Sequence, residues 1–232
     1  MKIYKNINME HFRAEASYFF ENYASDFIKG AGLEEILNCF NKFFSRGTWV
    51  DLGGGSSSLL WWGAQKYDNK IIVIDKYREP MIFTNILRNS INKTGCYKYV
   101  EEQYGKKDFK KARIKFVIKD LFDDKKILIK KYRNISQIGL LGLCKNEDVF
   151  KNKLTYILSL LSYGGVLISA NWIFTDEYSK ERGINNDYLT EKNIRDFIIQ
   201  KNKYKLCYQR TIIYNDDKKY KGVIIYVIKK EK

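Results

Sequence analysis

The chain has 232 residues, 42 lysines and arginines against 27 aspartates and glutamates, a formal net charge of +15, and 45% hydrophobic residues. That length suits one α/β domain with a small cap, and a chain of this size buries roughly 70% of its unfolded surface, enough for a substrate pocket without a partner chain. No run of eighteen apolar residues occurs and the first twenty residues mix charges into their apolar positions, which excludes a membrane span and a signal peptide and leads us to expect a cytoplasmic protein.

Two amphipathic helices are predicted between about Met9 and Phe44; in the second, Leu33, Ile36, Leu37, Phe40 and Phe44 recur at helical spacing. Both precede the first strand, so residues 1–46 are expected to form a cap on a main domain at 47–232. TWVDL is a short apolar strand broken by Gly53, Gly54 and Gly55, followed by the helix SSSLLWWGAQKY and the strand IIVID. The next helix, from about Glu79 to Ile91, carries Pro80 in its first turn, where a missing N–H costs nothing.

The lysine-rich segment after Gly95 has no assignable periodicity. RIKFVIKD is the third strand and SQIGLLGL the fourth. Glu147 to Leu161 is a helix, expected to end through Gly164 and Gly165, and VLISAN is the fifth strand. An irregular polar stretch from Trp172 to Tyr188 leads to the helix TEKNIRDFIIQ, opened by Thr190. KLCYQRTIIYN and GVIIYVIKK then form a terminal hairpin around the turn NDDKKYKG. This alternation predicts a doubly wound, seven-stranded, mostly parallel sheet of order 3-2-1-4-5-7-6, its last strand antiparallel, with an N-terminal helical cap.

In VDLGGGSSS the three glycines provide backbone positions that a side chain would block, and the following helix presents its N-terminus to a ligand resting on the turn. Asp51 ends the strand before them. Asp75 ends the next strand about 20 residues on, where a carboxylate can accept both ribose hydroxyls of a nucleoside. Asp120, with Leu121 and Phe122, closes the third strand and is placed to meet an adenine edge and face. The turn opens into Ser56, Ser57 and Ser58 rather than the pyrophosphate-fitting GxGxxG, and no second nicotinamide-binding half follows. The constellation therefore fits S-adenosylmethionine better than a dinucleotide.

With these residues in place the chain resembles the class I methyltransferases, and its layout is similar to the nicotinamide, phenylethanolamine and indolethylamine N-methyltransferase family over nearly the full length. YFFENYASDFIKGAGLEEIL looks like that family's tyrosine-bearing cap, NKLTYILSLLSYGGVLISANWIFTDEY like its helix, turn, fifth strand and substrate loop, and KKYKGVIIYVIKK like its closing strand. The resemblance implies a cofactor site built from Tyr18, Tyr23, Asp51, Gly53, Gly54, Gly55, Ser57, Asp75, Lys76, Asp120, Leu121 and Leu143. It implies acceptor-side roles for Tyr23, Asn171 and Tyr178. Asn171 stands where the family carries a carboxylate, and the glycine turn departs from the family's Gly-Ser-Gly-Pro-Thr. An amide hydrogen-bonds but does not neutralise a cation, so a different acceptor is expected.

The implied activity is S-adenosylmethionine-dependent methylation of a small molecule, an amine or N-heterocycle, releasing S-adenosylhomocysteine. Methyl transfer from a sulfonium is an in-line displacement that proximity and orientation largely supply, so no general-base dyad is required. Trp61, Trp62, Trp172 and Phe174 fall near the same end of the molecule, either as pocket walls or as core. His11 reads as an exposed residue rather than a base, and Asp176 and Glu177 either take a proton or are solvated loop charges. Cys39, Cys96, Cys144 and Cys207 are scattered, with no CxxC and a single histidine, so neither zinc nor disulfide is expected.

The basic excess keeps an RNA methyltransferase, acting on ribose or base, as the alternative, with a small-molecule O-methyltransferase beside it. The densest runs, Lys106–Lys115 and Lys125–Arg133, sit beside acids or on solvated helices, and no Asn-Pro-Pro-Tyr follows the fourth strand, where Leu143, Cys144, Lys145 and Asn146 stand. A nucleic-acid partner is thus the lesser expectation, no membrane partner is expected, and the chain reads as a monomer or weak dimer.

Overall fold

Alternation of side chains along the strands gives the sheet two apolar faces, and each face needs a layer of helices to cover it. A computed structural model describes residues 7–24, 30–90, 95–123 and 130–231. The strands are β1 (Thr48–Leu52), β2 (Lys70–Asp75), β3 (Ile114–Ile118), β4 (Tyr132–Ile138), β5 (Leu161–Phe174), β6 (Tyr204–Ile213) and β7 (Tyr220–Lys230). They form one sheet in the order β3-β2-β1-β4-β5-β7-β6. β1 to β5 run parallel, and β7 is antiparallel to both β5 and β6. The order and the antiparallel end are those predicted.

The helices are α1 (Met9–Phe19), α2 (Leu33–Phe43), α3 (Ser58–Ala64), α4 (Glu79–Ser90), α5 (Gly95–Tyr104), α6 (Glu147–Ser159), α7 (Asp176–Arg182) and α8 (Glu191–Ile199). On one face Trp49, Ile168, Ala170, Val223 and Ile225 pack under α2, α3 and α5 through Phe40, Leu59, Trp61 and Tyr97. On the other, Val50, Leu52, Ile135, Leu167, Ile224 and Tyr226 pack under α6 and α8 through Leu154, Ile157, Ile194 and Ile198. α2 belongs to the first of these layers, stacking Phe40 on Trp61 with ring centroids 5.6 Å apart. α1 lies on α4, through Phe12–Phe83 and Phe19–Phe83 ring contacts.

Four local expectations are corrected. The segment after Gly95 is helix α5: Cys96, Tyr97 and Val100 share one face and are buried, a stripe too short to stand out among its polar neighbours. β4 spans Tyr132–Ile138, earlier than SQIGLLGL, because Gly139 takes φ +84° and Leu141–Leu143 form a 3-10 turn. α6 ends at Ser159, so Gly164 and Gly165 do not terminate it; a Cβ on Gly165 would stand 2.9 Å from the Tyr132 carbonyl oxygen, and that glycine serves the close approach to β4. β5 runs on through Phe174 because β7 pairs with it to that point, and α7 follows where an irregular stretch was expected.

Among the described residues no helix is long and apolar enough to cross a membrane, no group of side chains could hold a metal ion, and all four cysteines are free. Part of the basic run Lys125–Arg133, residues 125–129, lies outside the described residues, as do Ile91 and positions 25–29 of the cap segment.

Candidate active site

In a doubly wound sheet the crevice opens at the carboxyl ends of the strands, where the order reverses, here between β1 and β4. A cavity of about 680 Å³ lies there, lined from the β1 turn, the ends of β2 and β4, the loop after β3, and α1. That size lies within the usual range for a small-ligand site.

The glycine turn is held from four sides. The Gly53 N–H donates to the Ile74 carbonyl (2.7 Å), and the Gly55 N–H to Asp75 Oδ2 (3.2 Å). Thr84 of α4 donates its hydroxyl to the Gly55 carbonyl (3.1 Å). From α1, Glu15 Oε1 accepts from the Ser56 N–H (3.0 Å). A Cβ on Gly54 would stand 2.6 Å from Asp51 Oδ2 and against Ser58 Oγ, so the glycine is required by the packing beneath the turn. The Ser56 side chain is buried with its hydroxyl unpartnered at the cavity wall.

Asp51 is fully buried and does not line the cavity. It accepts from Ser58 Oγ (2.6 Å) and from the Ser136 hydroxyl, which in turn accepts from the Trp49 indole N–H (2.7 Å). Burial pushes its pKa up to about 7 against the pull of the two hydroxyls. It braces the turn rather than touching a ligand. Asp75 faces the cavity, and burial raises its pKa to about 6 although the Tyr77 and Gly55 N–H groups hold its charged form.

Beyond β3, Asp120 pairs with Lys76 (2.8 Å) and accepts from the Phe122 N–H (2.8 Å). Burial works to raise its pKa, but the Lys76 contact and the Phe122 N–H outweigh it and hold the carboxyl below its ordinary value. Lys153 of α6 donates to the Leu121 and Phe122 carbonyls and so fixes this loop from behind.

At the end of α1 the backbone widens into a π-helical turn, Phe20–Ala24, which carries Tyr23 inward. Such turns recur at functional sites because the extra residue re-aims a side chain. Tyr23 is buried, hydrogen-bonded through its hydroxyl to Ser57 and Tyr18, and its pKa is pushed well up, first by burial. Tyr18 leaves 45% of its surface exposed, yet its hydroxyl end is buried and its pKa is likewise raised. Tyr178 completes an aromatic cluster with Phe174 (centroids 5.1 Å) and Tyr220 (5.6 Å).

Of the expected site residues, Tyr18, Tyr23, Gly53, Gly54, Gly55, Ser57, Asp75, Lys76, Asp120, Leu121, Leu143 and Tyr178 line this one cavity. Asn171 does not. It lies on the opposite face of β5, fully buried, accepting from Gln137 Nε2 (3.2 Å) and donating to Ser169 Oγ and Tyr226 OH (3.4 Å each). Its neighbour Trp172 faces the cavity instead. His11 rests on the Tyr77 ring (4.6 Å), and Asp176 is an exposed partner of Lys221 (2.7 Å); neither these nor Glu177 lines the cavity. Sequence reasoning missed Glu15, although it stands one helical turn before Tyr18, and Tyr220, which the hairpin brings in from far beyond Phe174, the last aromatic of β5.

No protein-family model matches the sequence, and no curated protein matches it. Solved structures do match. One is an N-methyltransferase, NodS from Bradyrhizobium japonicum WM9 in complex with S-adenosylhomocysteine: TM-score 0.58, 9% identity, 86% of this chain and 85% of that one. A second is an S-adenosylmethionine-dependent methyltransferase from Clostridium acetobutylicum: TM-score 0.59, 13% identity, 97% of this chain and 100% of that one. A third is magnesium protoporphyrin IX methyltransferase (ChlM) from Synechocystis PCC 6803 with S-adenosylmethionine bound: TM-score 0.53, 13% identity, 99% and 88%. The chain has the fold of the class I S-adenosylmethionine-dependent methyltransferases. At such identities the match carries the fold, and the acceptors those names imply are too diverse to carry a substrate.

Proposed function

We propose that this chain is an S-adenosylmethionine-dependent methyltransferase that methylates a small molecule, on the nitrogen of an amine or N-heterocycle. The observation that carries the reading is the cavity at the strand-order reversal, where the glycine turn, Asp75, Asp120 and a tyrosine-bearing helix meet. The residues fit the cofactor. Ser56 offers an unpartnered buried hydroxyl, and Asp75 a carboxylate for a ribose. Leu121, Phe122 and Leu143 offer apolar surface for a base beside Asp120. The bound cofactor supplies an activated methyl group on a positively charged sulfur.

The protein's own part is positioning and desolvation. Glu15 and Thr84 fix the turn, Tyr23 and Tyr18 close the cavity from the cap, and Trp172, Phe174, Tyr178 and Tyr220 line its outer side. An amine entering an aromatic site loses water and is shifted toward its unprotonated form, which is the form with a free lone pair. No proton acceptor need be held against it. The inward placement of Tyr18 and Tyr23 supports the likeness to the nicotinamide and phenylethanolamine N-methyltransferases; the placement of Asn171 does not.

The experiment is a screen of amines, N-heterocycles, phenols, thiols and tRNA for release of S-adenosylhomocysteine, repeated across a salt series. The reading expects turnover with a small nitrogen acceptor that depends weakly on salt. Methyl incorporation into tRNA with affinity falling steeply in salt would replace it with the RNA reading.

A further inference from the structure

Helix α1 is fixed on the body of the protein from its start. The Asn8 N–H donates to Glu79 Oε1 (2.9 Å), and Phe12 packs on Phe83 with ring centroids 5.8 Å apart. Glu15 follows Phe12 at helical spacing, on the same side of α1, and reaches the glycine turn. There Asp75 and Glu15 take consecutive backbone donors: the Gly55 N–H goes to Asp75 Oδ2 (3.2 Å) and the Ser56 N–H to Glu15 Oε1 (3.0 Å). A Cβ on Gly55 would lie 3.5 Å from Glu15 Oε1, so the carboxylate stands over the turn, and both acids line the cavity.

Two carboxylates held on neighbouring N–H groups repel one another until a positive charge comes to them. Burial is the main reason the Asp75 pKa is raised to about 6, and the Glu15 charge adds to it. Neither carboxylate forms a salt bridge among the described residues. Lys76, next to Asp75, is taken by Asp120 (2.8 Å), and Arg182 stands by the Tyr178 ring (5.8 Å). Ser56 points to a ligand at the same place independently of these charges. It lines the cavity, is 1% exposed, and its hydroxyl has no partner. The bond to the turn uses one acceptor position of Glu15, and an ionised carboxylate has about four.

Resting on the methyltransferase reading above, we propose that Glu15 is the residue that selects a charged cofactor: its carboxylate receives a cationic group of S-adenosylmethionine beside the Ser56 hydroxyl, while Asp75 takes the uncharged ribose. The cofactor carries two such groups, the α-ammonium and the sulfonium. The first is retained in S-adenosylhomocysteine, and the second is lost when the methyl group leaves. In either case recognition lies in the charge of Glu15, because a neutral acceptor braces the Ser56 N–H as well as an ionised one does. A contact with the sulfonium has a further consequence. Transfer of the methyl group then removes the charge that Glu15 holds, and the product is bound less tightly than the cofactor.

The test titrates S-adenosylmethionine, S-adenosylhomocysteine and 5′-methylthioadenosine calorimetrically into the full chain and into the variant Glu15→Gln. The amide keeps an oxygen for the Ser56 N–H and removes only the charge. Methylthioadenosine keeps the base, the ribose and the sulfur but has neither cation. In the variant S-adenosylmethionine is expected to bind about tenfold more weakly, and methylthioadenosine within about twofold of wild type. An equal loss with S-adenosylhomocysteine assigns the contact to the α-ammonium, and no loss with it assigns the contact to the sulfonium. Undiminished affinity for S-adenosylmethionine in the variant overturns the proposal. So does a loss with methylthioadenosine as large as that with S-adenosylmethionine, because Glu15 then acts on the turn alone. If none of the three binds the folded wild-type protein, the cofactor reading falls and this one with it, whereas binding that Glu15→Gln leaves unaltered refutes only the part given to Glu15.

Discussion

The two halves of the candidate site, the one proposed for the cofactor and the one proposed for the acceptor, are assembled differently. In the cofactor half each residue sits within a few positions of a strand end: Gly53 to Ser57 after β1, Asp75 at the end of β2, Asp120 and Leu121 after β3. In the acceptor half the walls come from the α1 extension, the outer part of β5, α7 and the β6–β7 hairpin. A strand and its following turn are local, so their chemistry is encoded in short motifs. A wall made from four distant segments is fixed only by topology, and it is free to vary without disturbing the fold. This is the physical reason one architecture can serve diverse acceptors.

The comparison would break first at the glycine turn. Gly54→Ala puts a methyl group against the Asp51 and Ser58 side chains, which are buried and hydrogen-bonded to each other. We expect a loss of about 3 kcal/mol, a fall in melting temperature on the order of 10 °C, and no detectable cofactor binding, all readable by thermal denaturation with and without S-adenosylhomocysteine. A variant that melts and binds like the wild type would show that the turn is not braced from beneath.

Asn171→Ala sharpens the other half. It removes one member of a buried Gln137–Ser169–Tyr226 network that is turned away from the cavity. The expected result is a stability loss of about 2 kcal/mol, from partners left unpaired, with KM values for cofactor and acceptor within twofold of wild type. A large rise in acceptor KM at unchanged stability would restore the catalytic role expected from its place in the sequence.

The next effect is one of pH. Asp75 is raised to about 6, so it is protonated more readily than an exposed aspartate. A ribose needs it as an acceptor, hence cofactor affinity should reach a plateau above pH 6 and fall as pH drops through that value, about tenfold by pH 5. Asp75→Asn should bind more weakly at pH 7 and show a flat profile. The smallest effect belongs to Asp176→Asn: this exposed carboxylate pairs with Lys221, does not line the cavity, and should leave kcat and both KM values within twofold.

Most of the fold was legible because alternating apolar strands, a glycine turn and acids at successive strand ends each leave a local signature. The misplacements arise where a contact distant in sequence decides the structure. The Gly164–Gly165 pair resembles a helix stop, but Gly165 serves the approach of β5 to β4, and Trp172 to Phe174 resemble loop because their strand character depends on pairing with β7. Asn171 was assigned by position, yet the two-residue period of β5 decides its direction, turning Trp172 toward the site and Asn171 away. Glu15 was hidden by its setting on an exposed amphipathic helix, where a carboxylate is ordinarily unremarked; its function shows only once α1 is seen against the glycine turn.

We propose above that the cavity at the β1–β4 reversal is an S-adenosylmethionine site anchored by Asp75. Calorimetric titration of the folded chain with S-adenosylhomocysteine tests it most directly. The account predicts one site per chain, with affinity weakened about tenfold or more by Asp75→Ala through loss of charge-assisted hydrogen bonds. Absence of binding to folded wild-type protein, or equal affinity in the Asp75→Ala variant, would contradict it.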